Sequence, residues 1–441
     1  MSHDILNLVN QHYDRFNSVH DALRNHKLCD FTNDFPSSNC PALPTAQVID
    51  RPATVPDEHS AIQSASPGVT LVIPSAGRSS RFPGHKPKWL LTLPDGNLMV
   101  VGALSALDLS VVSRLVVGVL REHVQKYCHG DPHAILAAFD RGHEKLRRIP
   151  LSLVVIENET RDQVQTIELI LQCGAVSGPV FFKDCDNSFA CTVSPVNGVA
   201  TFRITHNLEN LNVPGGKAYV KIGKGNRLTS ILEKQIMSDT FCIGGYSFAS
   251  ADDMLTYVNK ARCYQSITKN GDNELALSDI IWLKMIDSCL LSSKPASQEP
   301  FVAISATRYE DWGTIQAFKE YQKTFRTLFI DIDGTLVKNA GQYFGNIWGS
   351  QLPLPNNIDL LKRMYETGRV QIILTTSRTE RFREITERQM RAVGMPYDQI
   401  VFGLLHATRV IINDYAKTNP YPSSAAINVQ RDADDLASYL R

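Results

Sequence analysis

The chain has 441 residues, which predicts two or three domains at about 150 residues each. Its 45 Lys and Arg balance its 45 Asp and Glu, and a net charge of zero argues against a nucleic-acid binder that depends on a large positive field. The nine cysteines are scattered without CxxC pairs, and neither the polar N-terminus nor any later run is apolar enough for a signal peptide or a membrane span. We therefore expect a cytoplasmic protein with reduced thiols.

The alternation of apolar and polar segments predicts three parts of the chain. Residues 1–68 combine an amphipathic helical pattern over residues 4–24 with a Pro- and Ser-rich stretch, residues 34–68, that is interpreted as a linker arm. Residues 69–322 and 323–441 each alternate strands with helices, which is typical of α/β domains with largely parallel sheets. The expected strands are residues 69–74, 115–120, 151–157, 180–183, 301–304, 328–332, 370–375 and 410–413, and the expected C-terminal helices are residues 357–368 and 379–393.

A loop of small and basic residues follows the first of these strands. It reads Ser75-Ala-Gly-Arg-Ser-Ser-Arg81, and Lys88 follows shortly after in a Pro-Lys pair. Small residues let backbone N–H groups approach phosphate oxygens, and the cationic side chains can offset charge on a nucleotide triphosphate. Alone, such a loop is equally well a turn with exposed basic residues.

Carboxylates follow later strands of the same region. The strand over residues 180–183 ends in Asp184 and Asp186, and Asp311 lies further along the chain. Ligand and metal groups of α/β folds lie at the carboxyl ends of strands, and Mg²⁺ prefers one or two carboxylates together with substrate phosphates. A magnesium site is therefore expected here.

These motifs, in this order, resemble the nucleotidyltransferases that make nucleotide-activated sugars and related small molecules. The resemblance covers about residues 69–321 and implies a GT-A/Rossmann-like domain. It also implies transfer of a nucleotidyl group from an NTP to a phosphorylated acceptor, with release of pyrophosphate. The loop departs from the commonest pattern at Ser79 and Ser80, where glycines are usual.

The resemblance also implies site residues. The nucleotide would be bound by Ala76, Gly77, Arg78, Ser79, Ser80, Arg81 and Lys88, of which Arg81 and Lys88 also act in catalysis. Mg²⁺ would be held by Asp184, Asp186 and Asp311, and the acceptor by Glu233, Lys234 and Gly245. An alternative stays open, because the Asp184-Cys-Asp186 motif also suits a metal-dependent glycosyltransferase; the Pro87-Lys88 pair and the basic loop speak against it.

A second pair of acids follows the strand over residues 328–332. Asp331 and Asp333 are two residues apart, so on a strand both carboxylates share one face. The first can attack phosphorus to form an aspartyl-phosphate, and the second can protonate the leaving oxygen. Mg²⁺ is then needed to neutralise the phosphate. The pair predicts phosphomonoester hydrolysis.

This region resembles the haloacid dehalogenase (HAD) superfamily, and most closely the small phosphatases linked to bacterial capsule and surface-glycan synthesis. The resemblance implies a HAD-like domain with a minimal cap, a nucleophile at Asp331 and an acid/base at Asp333. Substrate would contact Thr376, Ser377 and Arg378, and Mg²⁺ would be held by Asp331, Asp333 and Asp414. Asn413 replaces one expected acid, and the phosphate-binding lysine is not evident, with Arg378, Arg409 and Lys417 as candidates. A non-catalytic binding or assembly module is therefore the alternative.

The combined prediction is a bifunctional enzyme built from two doubly wound α/β domains. Its cofactor is Mg²⁺ at both sites, and its partners are an NTP and a small phosphorylated acceptor, with neither nucleic acid nor membrane. Homo-oligomerisation stays open. The nucleotidyltransferase needs its acceptor phosphate intact, so the phosphatase would act on a different phosphate.

Overall fold

The computed structural model describes residues 45–51, 68–204, 216–267, 274–290, 300–339, 348–414 and 423–440. Contacts divide the chain into two compact units, Met1–Thr45 and Ala46–Arg441. The helix predicted over residues 4–24 lies outside the described residues. No helix in the described part of the chain is long and apolar enough to cross a membrane.

The larger sheet of the second unit has ten described strands. Its strands and the two that pair beside it are β1 (Ala46–Arg51), β2 (Val69–Pro74), β3 (Val112–Leu120), β4 (Leu151–Ile156), β5 (Val180–Lys183), β6 (Asn187–Ala190), β7 (Gly198–Arg203), β8 (Ala218–Ile222), β9 (Leu228–Glu233), β10 (Thr240–Phe248), β11 (Val302–Ser305) and β12 (Thr307–Asp311). The order is β1-β4-β3-β2-β5-β10-β7-β11, with β8 joining β10 to β9, while β6 and β12 form a separate ribbon. The neighbours β4, β3, β2 and β5 run parallel.

The central strands are apolar because helices cover both of their faces. Every side chain of β4 is buried, as are those of β2 up to Pro74. The helices of this region are α1 (Met99–Gly102), α2 (Arg121–Tyr127), α3 (His133–Gly142), α4 (Glu144–Arg147), α5 (Gln163–Cys173), α6 (Ala251–Ile267), α7 (Leu277–Leu290) and α8 (Ile315–Lys323). The predicted α/β class is confirmed.

The sheet begins earlier in the chain than the sequence predicts. β1 pairs antiparallel with β4, from Ala46 opposite Ile156 to Arg51 opposite Leu151. The buried Arg51 guanidinium donates hydrogen bonds to the carbonyl oxygens of Leu146 and Ile149 at 2.9 and 2.8 Å. The interpretation of residues 34–68 as a linker is therefore wrong for this strand, whose short mixed sequence carries little periodicity.

A smaller parallel sheet follows α8. It contains β13 (Arg326–Asp331), β14 (Val370–Thr375) and β15 (Gln399–Val401), with α9 (Pro355–Glu366) and α10 (Arg383–Ala392) as the connecting helices. One face packs on both helices through a cluster that includes Ile330, Leu374, Leu361 and Met390. The opposite face is open among the described residues, since Phe329 is 55% exposed.

The predicted strand over residues 410–413 is not formed. Val410, Ile411 and Ile412 lie in irregular backbone and are 76%, 52% and 93% exposed. β-Branched residues favour a strand locally, but a strand also needs a hydrogen-bonded neighbour, and in the described sheet β13 is an edge strand. Local propensity alone therefore gave a wrong prediction here.

Candidate active site

The loop after β2 lies at the carboxyl end of the parallel strands. Ala76 is buried against the core, whereas Gly77, Arg78 and Ser80 are exposed. Ser79 adopts a positive φ of 53°, and its Oγ accepts a hydrogen bond from the backbone N–H of Lys88 at 3.0 Å. The loop and the Pro-Lys segment are thus held together, as a site for a nucleotide triphosphate requires.

A lysine and an aspartate of the predicted site form a close ion pair. The Nζ of Lys88 donates to the Oδ2 of Asp186 at 2.5 Å. Asp186 is buried, and its carbonyl oxygen accepts a hydrogen bond from the N–H of Trp312 at 2.8 Å. The backbone that follows Asp311 is therefore tied to the backbone of Asp186.

The β6–β12 ribbon brings Asp311 to Asp186. Asp311 stands opposite Asn187 in the register of the ribbon. A Cβ on Gly313 would lie 3.0 Å from Asp311 Oδ1 and 3.1 Å from Asp186 Oδ2, so the two carboxylates converge on the space beside this glycine. On the other side of Asp311, its Oδ2 pairs with the Nζ of Lys217 at 2.9 Å.

Opposite charges keep both ion pairs charged despite their burial. Burial alone would lower the pKa of Lys88, but Asp186 raises it above the ordinary value. Burial would likewise raise the pKa of Asp186, but Lys88 and then Lys217 hold it well below the usual range. The pKa of Lys217 is raised against the effect of burial, chiefly by Tyr309 and Asp311. Two ammonium groups therefore accompany two carboxylates at this point.

Asp184 lies apart from this pair of carboxylates. Its Oδ1 accepts a hydrogen bond from Gln163 Nε2 at 2.8 Å, and a Cβ on Gly244, which has a φ of 81°, would lie 2.3 Å from its Oδ2. Burial and then the charge of Asp186 raise the pKa of Asp184. Asp184 thus faces Gln163 and Gly244.

A buried lysine fixes the turn between β5 and β6. Lys183 Nζ donates to the carbonyl oxygens of Asp184 and Asn187 at 2.7 and 2.8 Å and to Asn187 Oδ1 at 2.6 Å. Burial lowers the pKa of Lys183 to about 8. Neither Lys183 nor Lys217 was predicted from the sequence, because neither belongs to a motif.

The predicted acceptor residues fall on different surfaces. The Glu233 carboxylate accepts a hydrogen bond from Ser278 Oγ at 2.6 Å, and burial raises its pKa. Lys234 is exposed, with a φ of 54°. A Cβ on Gly245 would meet core side chains such as Phe181 at 3.0 Å. Glu233 is therefore half-buried, whereas Lys234 is exposed.

The donor set of the first site fits a magnesium ion. Asp186 and Asp311 supply two converging carboxylates, and Mg²⁺ commonly takes one or two carboxylates with phosphate oxygens and water. No group of three His, Cys, Asp or Glu side chains suited to a metal occurs among the described residues, and the metal-binding role of Asp184 stays a prediction. The two-carboxylate arrangement agrees with a metal that arrives with its nucleotide.

The acids of the second site are bound by arginines. The fully buried Arg378 donates two hydrogen bonds to the Asp333 carboxylate, from Nε at 3.0 Å and from Nη2 at 2.7 Å. Gln351 Nε2 donates a third at 3.0 Å. Asp331 pairs with Arg409 at 2.9 Å, and burial raises its pKa. Two of the candidate phosphate-binding arginines are thus engaged by the carboxylates themselves.

Of the other residues predicted at the second site, Thr376 contacts Asp333, whereas Asp414 lies in an exposed segment. Thr376, at the end of β14, lies with its Oγ1 3.4 Å from Asp333 Oδ2, and Ser377 follows it. Asp414 lies in the exposed segment whose contacts are with Ser423, and no described hydrogen bond or ion pair joins it to Asp331. The magnesium site at Asp331, Asp333 and Asp414 stays a prediction. Lys417 lies outside the described residues.

Comparisons with known proteins find similarity only among solved structures. No protein-family model and no curated protein matches the chain. A nucleoside-diphosphate-sugar pyrophosphorylase from Vibrio cholerae RC9 matches with 17% identity and a TM-score of 0.44, over 57% of this chain and 99% of that protein. A UDP-glucose pyrophosphorylase complexed with UDP-glucose matches with 13% identity and a TM-score of 0.43, over 58% and 97%.

An inositol-1-phosphate CTP transferase from T. maritima matches with 15% identity and a TM-score of 0.39, over 58% of this chain and 95% of that protein. At TM-scores below 0.5, these similarities do not by themselves assign a function to the chain.

Proposed function

We propose that residues 69–322 transfer a nucleotidyl group from an NTP to a phosphorylated sugar or related small molecule, with release of pyrophosphate. The observation that carries this proposal is the convergence of Asp186 and Asp311 beside Gly313, each paired with a lysine, next to the loop over residues 75–81. Chemistry on a triphosphate needs positive charge and a metal-binding carboxylate set at one point, and this arrangement supplies both.

In this reaction an oxygen of the acceptor phosphate attacks the α-phosphorus of the NTP, and the bond to pyrophosphate breaks. Mg²⁺ held by Asp186 and Asp311 would neutralise charge on the phosphates. The protein's own part is to bind and orient. Backbone N–H groups of the loop would receive the triphosphate, and Lys88 would stabilise charge that develops on the α-phosphate.

The experiment is a matrix of the four NTPs against sugar and polyol phosphates, with pyrophosphate release as the readout. We expect release only when NTP, Mg²⁺ and one class of phosphate acceptor are all present. A metal-dependent glycosyltransferase would release no pyrophosphate from an NTP, so this assay also separates the two alternatives. No release with any pair would exclude the proposal.

For residues 323–441 we propose the non-catalytic alternative, in which the region serves as a binding or assembly module. Its support is the Asp333 carboxylate, which is bound by Arg378, Gln351 and Thr376. The Asp333 carboxylate is therefore already engaged by neighbouring side chains. Phosphomonoester hydrolysis and a role in capsule precursor synthesis stay predictions.

A p-nitrophenyl phosphate assay with and without Mg²⁺ distinguishes a phosphatase from a non-catalytic binding module. We expect the wild-type rate to equal that of Asp331→Asn at every Mg²⁺ concentration. Turnover that depends on Mg²⁺ and disappears in Asp331→Asn, but not in the variant Asp359→Asn on α9, would instead establish the phosphatase.

A further inference from the structure

Lys217 is a half-buried cation of the first site that no sequence motif marks. It immediately precedes β8, its side chain is 24% exposed, and its Nζ lies 2.9 Å from Asp311 Oδ2 and 5.7 Å from the centroid of the Tyr309 ring. A buried ammonium group is costly unless a counter-charge is fixed beside it. The structure supplies this counter-charge with one of the two converging carboxylates.

The two lysines reach the carboxylates from different elements of the fold. Lys88 belongs to the nucleotide side, since its N–H binds Ser79 of the loop. Lys217 directly precedes β8, which pairs with β9 so that Ala218 stands opposite Glu233. The carbonyl oxygen of Lys217 accepts a hydrogen bond from the N–H of Lys234 at 3.0 Å. Lys217 is therefore on the hairpin that carries the predicted acceptor residues.

In-line displacement brings negative charge to two sides of the reacting phosphorus. The attacking phosphate oxygen and the leaving pyrophosphate lie on opposite sides of the α-phosphorus, and both carry negative charge. A divalent cation held by Asp311 would share its carboxylate with Lys217, whose ammonium group could then also bind a phosphate oxygen. Lys234, by contrast, is exposed and has no ion pair with either carboxylate among the described contacts.

We propose that Lys217, rather than Lys234, binds the phosphate group of the acceptor. This inference rests on the proposed nucleotidyl transfer and assigns one subsite within it. The occupant is a phosphate monoester of a small molecule, recognised through its charged oxygens. Lys217 thus pairs with Asp311 before substrates bind and with the acceptor phosphate afterwards.

The first test measures binding without turnover. Full-length protein is saturated with Mg²⁺ and an α,β-methylene nucleotide triphosphate, which fills the nucleotide side, and ³¹P line broadening then reports the binding of inorganic phosphate. Wild type, Lys217→Met, Lys217→Arg and Lys221→Met are compared, the last being an exposed lysine on the same strand. We expect Lys217→Met to weaken phosphate binding by about 10- to 100-fold, as loss of a charge-assisted hydrogen bond implies. Lys217→Arg should restore part of it, and Lys221→Met should resemble wild type.

The second test uses turnover with the acceptor that gives the fastest pyrophosphate release. Lys217→Met should raise the KM for this acceptor about 10-fold or more while changing the KM for the NTP less than about 3-fold. The assignment would be overturned if folded Lys217→Met kept the wild-type phosphate affinity and acceptor KM. It would also be overturned if Lys221→Met weakened phosphate binding as much as Lys217→Met does. If wild-type protein releases no pyrophosphate with any pair, the nucleotidyl transfer itself falls, and the assignment falls with it.

Discussion

Arg369 forms an ion pair with Glu310, the residue that precedes Asp311 on β12. The guanidinium group also lies 5.7 Å from the ring centroids of Tyr321 and Phe325. Arg369 leads into β14 of the smaller sheet. A contact of the C-terminal region therefore bears directly on the strand that carries a carboxylate of the candidate nucleotidyl site.

We expect Arg369→Ala to lower both the stability of the full chain and its nucleotidyl transfer. The reason is that Glu310, which is half-buried, loses its counter-charge and β12 loses an anchor. A double-mutant cycle with Glu310→Ala should give a coupling free energy of about 1 kcal/mol, measured by urea unfolding. Arg363→Ala, an exposed arginine of α9, is the control. Additive effects of the two substitutions would show that the ion pair contributes nothing.

The Lys88–Asp186 pair should be indispensable for transfer. We expect Lys88→Met and Asp186→Asn each to reduce kcat for pyrophosphate release by about 100-fold or more, because each removes a charge at the reacting phosphates. The exposed variants Lys145→Ala and Asp252→Asn should keep wild-type rates. A folded Asp186→Asn protein with full activity would show that the site lies elsewhere.

Glu233 should make the stability of the chain depend on pH. Burial raises the pKa of Glu233 above its ordinary value of 4.5, so the folded state holds its proton more tightly than the unfolded state does. The resulting stabilisation is complete below the ordinary pKa and is lost as pH rises through the folded-state pKa. We expect Glu233→Gln to gain in thermal midpoint relative to wild type between pH 4.5 and pH 7.5.

Thermal unfolding at matched ionic strength measures this gain. The control is Glu366→Gln, an exposed glutamate at the end of α9, for which the difference from wild type should stay constant with pH. A constant difference for Glu233→Gln as well would contradict the prediction.

Arg378 should be a major stabilising residue of the C-terminal region. Besides binding Asp333, its fully buried guanidinium donates to Thr386 Oγ1 at 3.1 Å and to Gln389 Oε1 at 3.0 Å. Arg378→Met leaves these acceptors and a carboxylate unpaired, so we expect a loss of about 3 kcal/mol in urea unfolding. The exposed Arg388→Met should lose less than about 0.5 kcal/mol. If Arg378→Met lowered the free energy of unfolding no more than Arg388→Met does, the hydrogen bonds of Arg378 would contribute little to stability.

The sequence predicts the parallel strands well because their signal is local. The strand over residues 69–74 is found with the predicted bounds, as is the strand over residues 370–375, since both are rich in β-branched residues. The strand over residues 410–413 was predicted wrongly for the same reason, because β-branched content says nothing about the presence of a neighbouring strand.

The candidate site was only partly predictable. Asp186 and Asp311 each belong to a motif, but their convergence depends on the pairing of β6 with β12, which no local pattern specifies. Lys217 and Lys183 escaped prediction because a single lysine without a motif gives no signal. Asp184 was grouped with Asp186 by spacing, although the turn sends the two carboxylates in different directions.

The β6–β12 ribbon has a consequence for how the chain can diversify. Asp186 directly precedes β6 and Asp311 ends β12, so the backbone hydrogen bonds of the ribbon hold both carboxylates at one end. Surface loops between the intervening strands can therefore change in length without changing the spacing of the two carboxylates.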